Sequence, residues 1–459
     1  MTTGGGYDAV IERVGERVDP DPAERAALEA AVETLVERTE SAVADLDVAA
    51  TVRHVGSTAR GTWVSGDRDI DVFVRFDPDL PREDLERYGL QVGRAVLPDG
   101  HLAYAEHPYV TGEHEGFAVD LVPCYAVADA TEIQSAVDRT PFHNAYLADR
   151  LDESSAAAVR RFKQFLKGIG AYGSDLRTRG YSGYITELLV LEYGGFRETL
   201  EAATEWQPPV HLDPADHAAR TFDDPLVVVD PTDPERNVAA VISRENVSRV
   251  VHFARQFLAE PALSHFYPPA PEPTDTEGVR EAVNARGTRP AAVVFDPPEL
   301  VDDQLYPQLR RSLAGLVRGL ETADFSVLRS ETWANERAVL FVELAVADLP
   351  AVERHEGPPV HAAEHATRFY ETYESAGATG PFIDGDRYVV ERERETTTAR
   401  EFLEDRLLDV ALGARIEPAL EAGYTVLTGS GVADLAGEFG VELAAYFDPS
   451  PRSLTEVDE

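Results

Sequence analysis

The stretch His54–Phe76 reads HVGSTARGTWVSGDRDIDVFVRF. A strand predicted from Ala50 to Val55 ends there, and Gly56 lets the backbone turn sharply. Gly56 to Trp63 reads as a turn entering a short helix. Ser57 stands at its start, where free backbone N–H groups and a hydroxyl suit phosphate oxygens. Arg60 lies one turn on and can pair with a triphosphate. Asp69 to Phe76 alternates cleanly and predicts a strand. Side chains alternate across a strand, so Asp69 and Asp71 share one face while Ile70, Val72 and Val74 point into a core. Asp120, in FAVDLVP, holds the same kind of position on a second predicted strand, Phe117 to Val122. Neighbouring carboxylates repel, a cost that is offset when a divalent cation sits between them. Three of them on adjacent strands can hold two magnesium ions. One would lower the pKa of an attacking hydroxyl, and the other would hold the triphosphate and the leaving pyrophosphate. A lone Asp-x-Asp is usually surface decoration and a lone Gly-Ser only a turn. Strand, Gly-Ser, short helix and Asp-x-Asp in this order form a specific signal for metal-assisted chemistry on a triphosphate.

The rest of the chain sets bounds on this reading. Its 459 residues, 43% hydrophobic, suffice for several cores, and at roughly 150 residues per domain predict about three domains. No apolar run approaches the ~20 residues needed to span a bilayer. Met1 to Gly6 shows no basic region followed by an apolar stretch, so no signal peptide is expected. Cys124 is the sole cysteine, which excludes an intrachain disulfide and a thiolate zinc cage. These features predict a cytoplasmic protein with no membrane partner. Lys+Arg is 42 against Asp+Glu 83, a net charge of −41. So acidic a chain should repel nucleic acid in dilute buffer. The acids are spread along the whole sequence, however, which points to a halophilic host whose salt screens long-range repulsion. Only two lysines are present, Lys163 and Lys167. One helical turn apart, they suggest a purpose, since an ammonium is a compact point charge suited to phosphate.

Further helices are predicted near Asp21-Pro22 onward, over Pro81 to Leu97, Glu153 to Gly168, Ile185 to Tyr193 and Asn246 to Leu258. Trp206 to Pro234 reads as proline-rich and irregular. Tyr267 to Gly278, YPPAPEPTDTEG, reads as a linker. Beyond it, Ala291 to Phe295, Asp303 to Leu320, Phe325 to Leu328, Ala338 to Val346, Ala362 to Tyr373 and Arg387 to Val390 give the order β-α-β-β-α-β. That order is ferredoxin-like and is also used by RNA-recognition modules.

Four segments sharpen the reading: GSTARGTWVSGDRDIDVFV, RTPFHNAYL, RRFKQFLKGIGAYGSDLRTRGYSGYITELLV and DPTDPERNVAAVIS, in this order. Over the first 260 residues the chain resembles the archaeal-type, class I CCA-adding enzymes, which are tRNA nucleotidyltransferases; beyond the linker it matches them in layout. The resemblance implies an α+β multidomain protein. Residues 1–150 would be a polymerase β-like catalytic head and 151–266 a mostly helical, nucleotide-binding centre. Residues 279–459 would be a ferredoxin- or RRM-like body and tail that binds tRNA. It implies addition of C, C and A to tRNA 3′ ends from CTP and ATP, with Mg²⁺, without a nucleic acid template and with release of pyrophosphate. Asp69, Asp71 and Asp120 would be the metal carboxylates, with Asp120 where the base for the 3′-hydroxyl is expected. Ser57 and Arg60 would hold the triphosphate, and His143, Lys163 and Tyr172 the incoming nucleotide. Arg236 would read the base edge together with tRNA phosphate.

The residues themselves agree at Lys163, which lies on a helix with Arg160, Arg161 and Lys167, a local basic patch that Arg177 and Arg179 extend. Pairing of these arginines with nearby acids is the plain alternative. Arg310, Arg311 and Arg318 are candidates for gripping tRNA, although a solvated helix face explains them as well. A homodimer is a further implication of the resemblance. The rival readings are a poly(A) polymerase-like or small-molecule nucleotidyltransferase, and a noncatalytic nucleotide- or tRNA-binding module.

Overall fold

The computed structural model describes residues 6–451. The leader reading over Met1 to Gly6 falls, but for Gly6, outside the described residues, as does the end of the tail, 452–459. The chain divides into two compact units, one running to Ala270 and rejoined at Pro451, the other Pro271–Ser450. Each mixes helices with sheets, so the protein is α+β. No helix of the described residues is long and apolar enough to cross a membrane.

The first unit begins with α1 (Tyr7–Val18) and α2 (Pro22–Ala44). α2 starts where the sequence dictates. The Asp21 carboxylate accepts the Ala23 and Glu24 N–H groups at 2.7 and 2.8 Å, and Pro22 fills the first helical position, where no N–H is missed. There follow β1 (Ala50–Val55), α3 (Gly56–Arg60), β2 (Asp69–Phe76), α4 (Arg82–Val96), β3 (His101–Tyr104), β4 (Pro108–His114) and β5 (Phe117–Tyr125). The strands form one sheet in the order β1-β2-β5-β4-β3. β2 and β5 run parallel and the other pairs antiparallel. Leu28 and Leu35 of α2 and Leu85 and Val92 of α4 pack with Ile70, Val72 and Val119 on one face. That burial leaves the alternate residues of β2 and β5 on the other face.

The unit continues with α5 (Thr140–Ala148), α6 (Glu153–Gly168), α7 (Gly183–Tyr193), α8 (Phe196–Thr204), β6 (Val210–Leu212), β7 (Leu226–Asp230), β8 (Asp233–Asn237) and α9 (Arg244–Ala259). Phe162, Phe165, Phe196, Phe257 and Phe266 form the aromatic centre of this core, with tilted and edge-on contacts. A Cβ at Gly168 would lie 2.3 Å from the His265 carbonyl oxygen, so a glycine is what lets the end of α6 approach that turn. The stretch 206–234, expected to be irregular, instead contains β6, β7 and the start of β8, which form a small sheet. Leu226–Asp230 is buried at every position, so it shows no alternation that would mark it as a strand.

The second unit comprises α10 (Thr276–Arg286), β9 (Arg289–Phe295), α11 (Asp302–Thr322), β10 (Val327–Ala334), β11 (Ala338–Leu344), β12 (Val352–Pro359), α12 (Ala363–Glu374), β13 (Thr379–Asp384), β14 (Arg387–Glu393), α13 (Ala399–Asp405), α14 (Glu417–Ala422), β15 (Thr425–Thr428) and α15 (Ala436–Phe447). Its larger sheet runs β10-β11-β9-β15, antiparallel throughout. This is the ferredoxin-like order, but the strand expected to complete it does not. Arg387–Val390 belongs to β14, in a separate sheet ordered β12-β14-β13. β15 takes the fourth place, and α13 rather than α12 packs beside α11, through Phe402 and Leu403 against Leu309 and Leu316. Local alternation marks a strand without naming its neighbour, and four strands, β12 to β15, follow β11 in the chain. α10 and α15 cover the opposite face of the larger sheet, setting Val279, Phe439 and Leu443 against Val294, Trp333 and Phe341.

Candidate active site

In the parallel β2–β5 pair, Asp71 and Asp120 are register partners. Asp69 lies two residues before Asp71 and so faces the same way. Three carboxylates therefore line one face of the first sheet, held there by the burial of Ile70, Val72 and Val119 on the other. Burial first, then the charges of Asp120 and Asp69, push the Asp71 carboxyl up to about 6 against the opposing charge of Arg60. Asp69 is also pushed up, by burial first and then by Asp67 and Asp120, against the pull of Lys167. Among the described residues no three of His, Cys, Asp or Glu already stand together as a metal cage. The carboxylates sit side by side and repel one another, a donor set that suits a hard divalent cation whose remaining ligands are substrate oxygens and water.

Gly56 shapes this face. Its φ of +81° is in the left-handed region, and a Cβ there would lie 2.1 Å from Asp71 Oδ2. Gly56→Ala should therefore displace the Asp71 carboxylate while the rest of the sheet stays folded. The expected result is a loss of at least ~100-fold in kcat/KM, as for a misplaced catalytic group, with an unchanged far-UV circular dichroism spectrum.

Arg60, expected on a triphosphate, is committed to protein partners. Its guanidinium donates to Glu187 Oε2 at 2.9 Å and to Oε1 at 3.2 Å, and to Asn144 Oδ1 at 2.9 Å. The Thr62 hydroxyl also donates to Glu187, whose side chain is fully buried. Lys163 is buried as well and donates to the Thr62 carbonyl at 2.9 Å. Burial, with a contribution from Arg60, lowers the Lys163 ammonium to about 8 against the opposing charge of Glu187. Lys163 thus braces the turn after α3 from behind. Its Nζ and the Tyr172 hydroxyl both lie near Gly183. Lys167 sits nearer the surface, 3.1 Å from Asp67 and over the Tyr172 ring.

The basic patch on α6 is smaller than its sequence implies. Arg160 is 1% exposed and donates to Asp19 at 2.7 Å and Glu153 at 2.9 Å, and Arg161 pairs with the same Asp19 at 3.1 Å.

A second group of predicted residues gathers on Asp230, at the end of β7. His143 Nε2 is 2.8 Å from its Oδ2, and Arg236 Nη1 donates to that oxygen at 2.7 Å. Oδ1 accepts the Thr232 N–H at 2.9 Å and hydroxyl at 2.8 Å, and the Tyr184 hydroxyl at 3.4 Å. The His143 and Tyr184 rings stack with centroids 3.9 Å apart. Burial alone would push the Asp230 carboxyl up. The hydrogen bond and charge of His143, with the donors on Thr232 and Arg236, overcome it and hold the group well below the usual range. Arg60 bonds Asn144, the chain neighbour of His143, so the two groups meet at α5.

Glu187 and Asp230, the two carboxylates that organise these groups, went unnoticed in the sequence reading. Each had a signal: Glu187 stands in the middle of the apolar run ITELLVL and Asp230 at the end of LVVVD. Such an acid is buried with its run and must find partners.

Sheet, glycine turn and carboxylates together are those of a nucleotidyltransferase, and residues 36–143 match the nucleotidyltransferase domain family. Residues 157–267 match the second domain of tRNA nucleotidyltransferase, and 286–429 the C-terminal domain of the CCA-adding enzyme. A CCA-adding enzyme of Halobacterium salinarum is 63% identical, the alignment covering 96% of this chain and 98% of the relative. Another, of Haloarcula marismortui, is 59% identical over 97% of this chain and 99% of its own length. One of Methanosarcina barkeri is 40% identical over 92% and 94%. The chain belongs to the CCA-adding enzyme family, and its activity is that of a tRNA nucleotidyltransferase. The relatives at 63% and 59% come from halophilic archaea, in keeping with the salt reading of the charge.

Proposed function

We propose that the enzyme adds C, C and A to the 3′ end of tRNA from CTP and ATP, in the cytoplasm, with Asp69, Asp71 and Asp120 holding two magnesium ions. The observation that carries the metal assignment is the alignment of Asp71 beside Asp120, with Asp69 on the same face and Asp71 raised by burial and then by its two neighbours' charges. Bound magnesium would supply a hydroxyl activated at neutral pH and charge neutralisation for the departing pyrophosphate. Asp120 accepts the proton of the tRNA 3′-hydroxyl in this reading. Ser57 holds the triphosphate, with Arg60 contributing its charge from the Glu187 pair. His143 and Tyr172 contact the incoming nucleotide, and Lys163 acts through the turn it braces at Thr62. Arg236 reads the base edge. The first unit is then a polymerase β-type head with a nucleotide-binding centre. The second unit, 279–459 in the sequence reading, is assigned to tRNA, with pairing of two chains kept as a further proposal.

The test is incubation in molar KCl with Mg²⁺ and tRNA lacking its 3′ CCA, giving labelled CTP and ATP separately and together. Two C residues and then one A, resolved at single-nucleotide length, are expected. A long A tail would move the assignment to a poly(A) polymerase. Activity confined to low salt would overturn the halophilic reading of the −41 charge.

A further inference from the structure

Asp230 does more than fill space at the end of β7. It is 0% exposed, and its two oxygens divide their work. Oδ1 is anchored locally by Thr232, through both the N–H and the hydroxyl, and by Tyr184 from α7. Oδ2 is the oxygen that both His143 and Arg236 engage, at 2.8 and 2.7 Å. The backbone carbonyl of Asp230 is fixed too, 2.9 Å from His217 Nε2. One immobile oxygen thus joins a histidine on α5 to an arginine on β8. Arg236 nevertheless stays 37% exposed at its side chain, and His143 stays 14% exposed. Both are tethered at one end and turned outward at the other.

A guanidinium is planar and only donates. Held at one N–H, it can present its other edge in few orientations. Cytosine and adenine offer an acceptor at the ring nitrogen of the pairing edge, whereas uracil and guanine carry an N–H donor there. A donor-only group separates these pairs of bases only while its plane is fixed. If it can swing, it finds the carbonyl oxygens of uracil or guanine as readily.

We propose that Asp230 is a positioning residue for nucleotide selectivity: by holding Arg236 and His143 on one carboxylate oxygen, it fixes the plane in which the guanidinium meets the base. This rests on the reading of Arg236 as the group at the base edge. Asp230 touches neither substrate nor metal in this account and acts through its two partners. Those donors, against the cost of burial, hold its pKa well below the usual carboxylate range, so it meets Arg236 as an anion at neutral pH.

The test compares incorporation from CTP and from UTP into tRNA lacking CCA, as a ratio of kcat/KM values, for the full-length enzyme in molar KCl. Asp230→Asn, which keeps the shape but presents a neutral amide where His143 and Arg236 meet an anion, should lower the C-over-U ratio at least about tenfold. kcat with saturating CTP should change much less, because the metal carboxylates are untouched. Arg236→Ala should lower the same ratio, and the double variant should be no worse than Arg236→Ala alone. An unchanged ratio in Asp230→Asn, with Arg236→Ala impaired, overturns the positioning role. An unchanged ratio in Arg236→Ala overturns the base-edge reading itself, so the two failures are distinct. Should Asp230→Asn not fold, Thr232→Ala removes one bond on Oδ1 and carries the same comparison: a lowered ratio supports the tether, and an unchanged one overturns it.

Discussion

Asp71→Asn yields a protein that transfers no measurable nucleotide yet, without metal, melts above the wild type. The argument begins with the like charges on one sheet face. Folding raises the Asp71 carboxyl from 3.8 to about 6, through burial and then the charges of Asp120 and Asp69. A carboxyl raised on folding binds its proton more tightly in the folded state. Stability of the metal-free protein therefore falls as pH rises from about 4 to about 6, and the loss persists at every higher pH. Two pKa units correspond to about 3 kcal/mol, an order of magnitude for what the folded enzyme forgoes by keeping this charge. Asparagine removes the charge at nearly constant shape and should recover part of that, raising the melting midpoint by a few degrees or so. The check is thermal melting in concentrated KCl with EDTA at pH 5 and pH 7.5, repeated with Mg²⁺. Wild type should be more stable at pH 5 without metal and gain from Mg²⁺ at pH 7.5. The variant should show little of either response and lose at least about a thousandfold in transfer rate. A variant that melts lower than wild type and still responds to Mg²⁺ would sink this account of the site.

The largest loss of stability is expected at Glu187. Its carboxylate, 0% exposed, holds Arg60, itself 8% exposed at the side chain. It also accepts the Thr62 hydroxyl and offsets the burial of Lys163. Glu187→Ala would leave two buried cations without their principal counter-charge, a loss of about 3–5 kcal/mol by the measure of broken buried pairs. Glu187→Gln separates charge from shape, since it can still accept from Arg60 and Thr62. Lys163 reports the difference. Its folded value of about 8 lies below the unfolded 10.5, so wild-type stability should rise with pH across that window, where the unfolded chain binds the extra proton. Without the Glu187 charge, Lys163 falls further and the rise should begin at lower pH. Denaturant melts across pH 7 to 10 measure both effects. A Glu187→Ala protein as stable as wild type would show the pair to be energetically idle.

The face that carries Asp69, Asp71 and Asp120 was legible in the sequence because its information is local. Alternation in DIDVFVRF gives strand and face together, and Gly-Ser gives the turn. What lay beyond reach depends on distant partners. Arg60 reads as a free cation until α7 brings Glu187 to it, more than a hundred residues later in the chain. Arg160 and Arg161 likewise read as a basic surface until Asp19 folds against them. β7 was hidden by its complete burial, and with it Asp230. In the second unit the strand pattern of Arg387–Val390 was right, but pairing is not encoded in alternation, and β15 holds the place beside β9.

The scarcity of lysine has a practical side. Lys163 is 3% exposed, and the single thiol, on Cys124, is 0% exposed. A thiol-directed dye thus meets no reactive side chain in the folded enzyme. An acylating dye meets one lysine, Lys167, 34% exposed at the side chain and 3.1 Å from Asp67. The protein is left with a single addressable lysine side chain close to Asp69, where a fluorophore could report substrate arrival without any engineered residue.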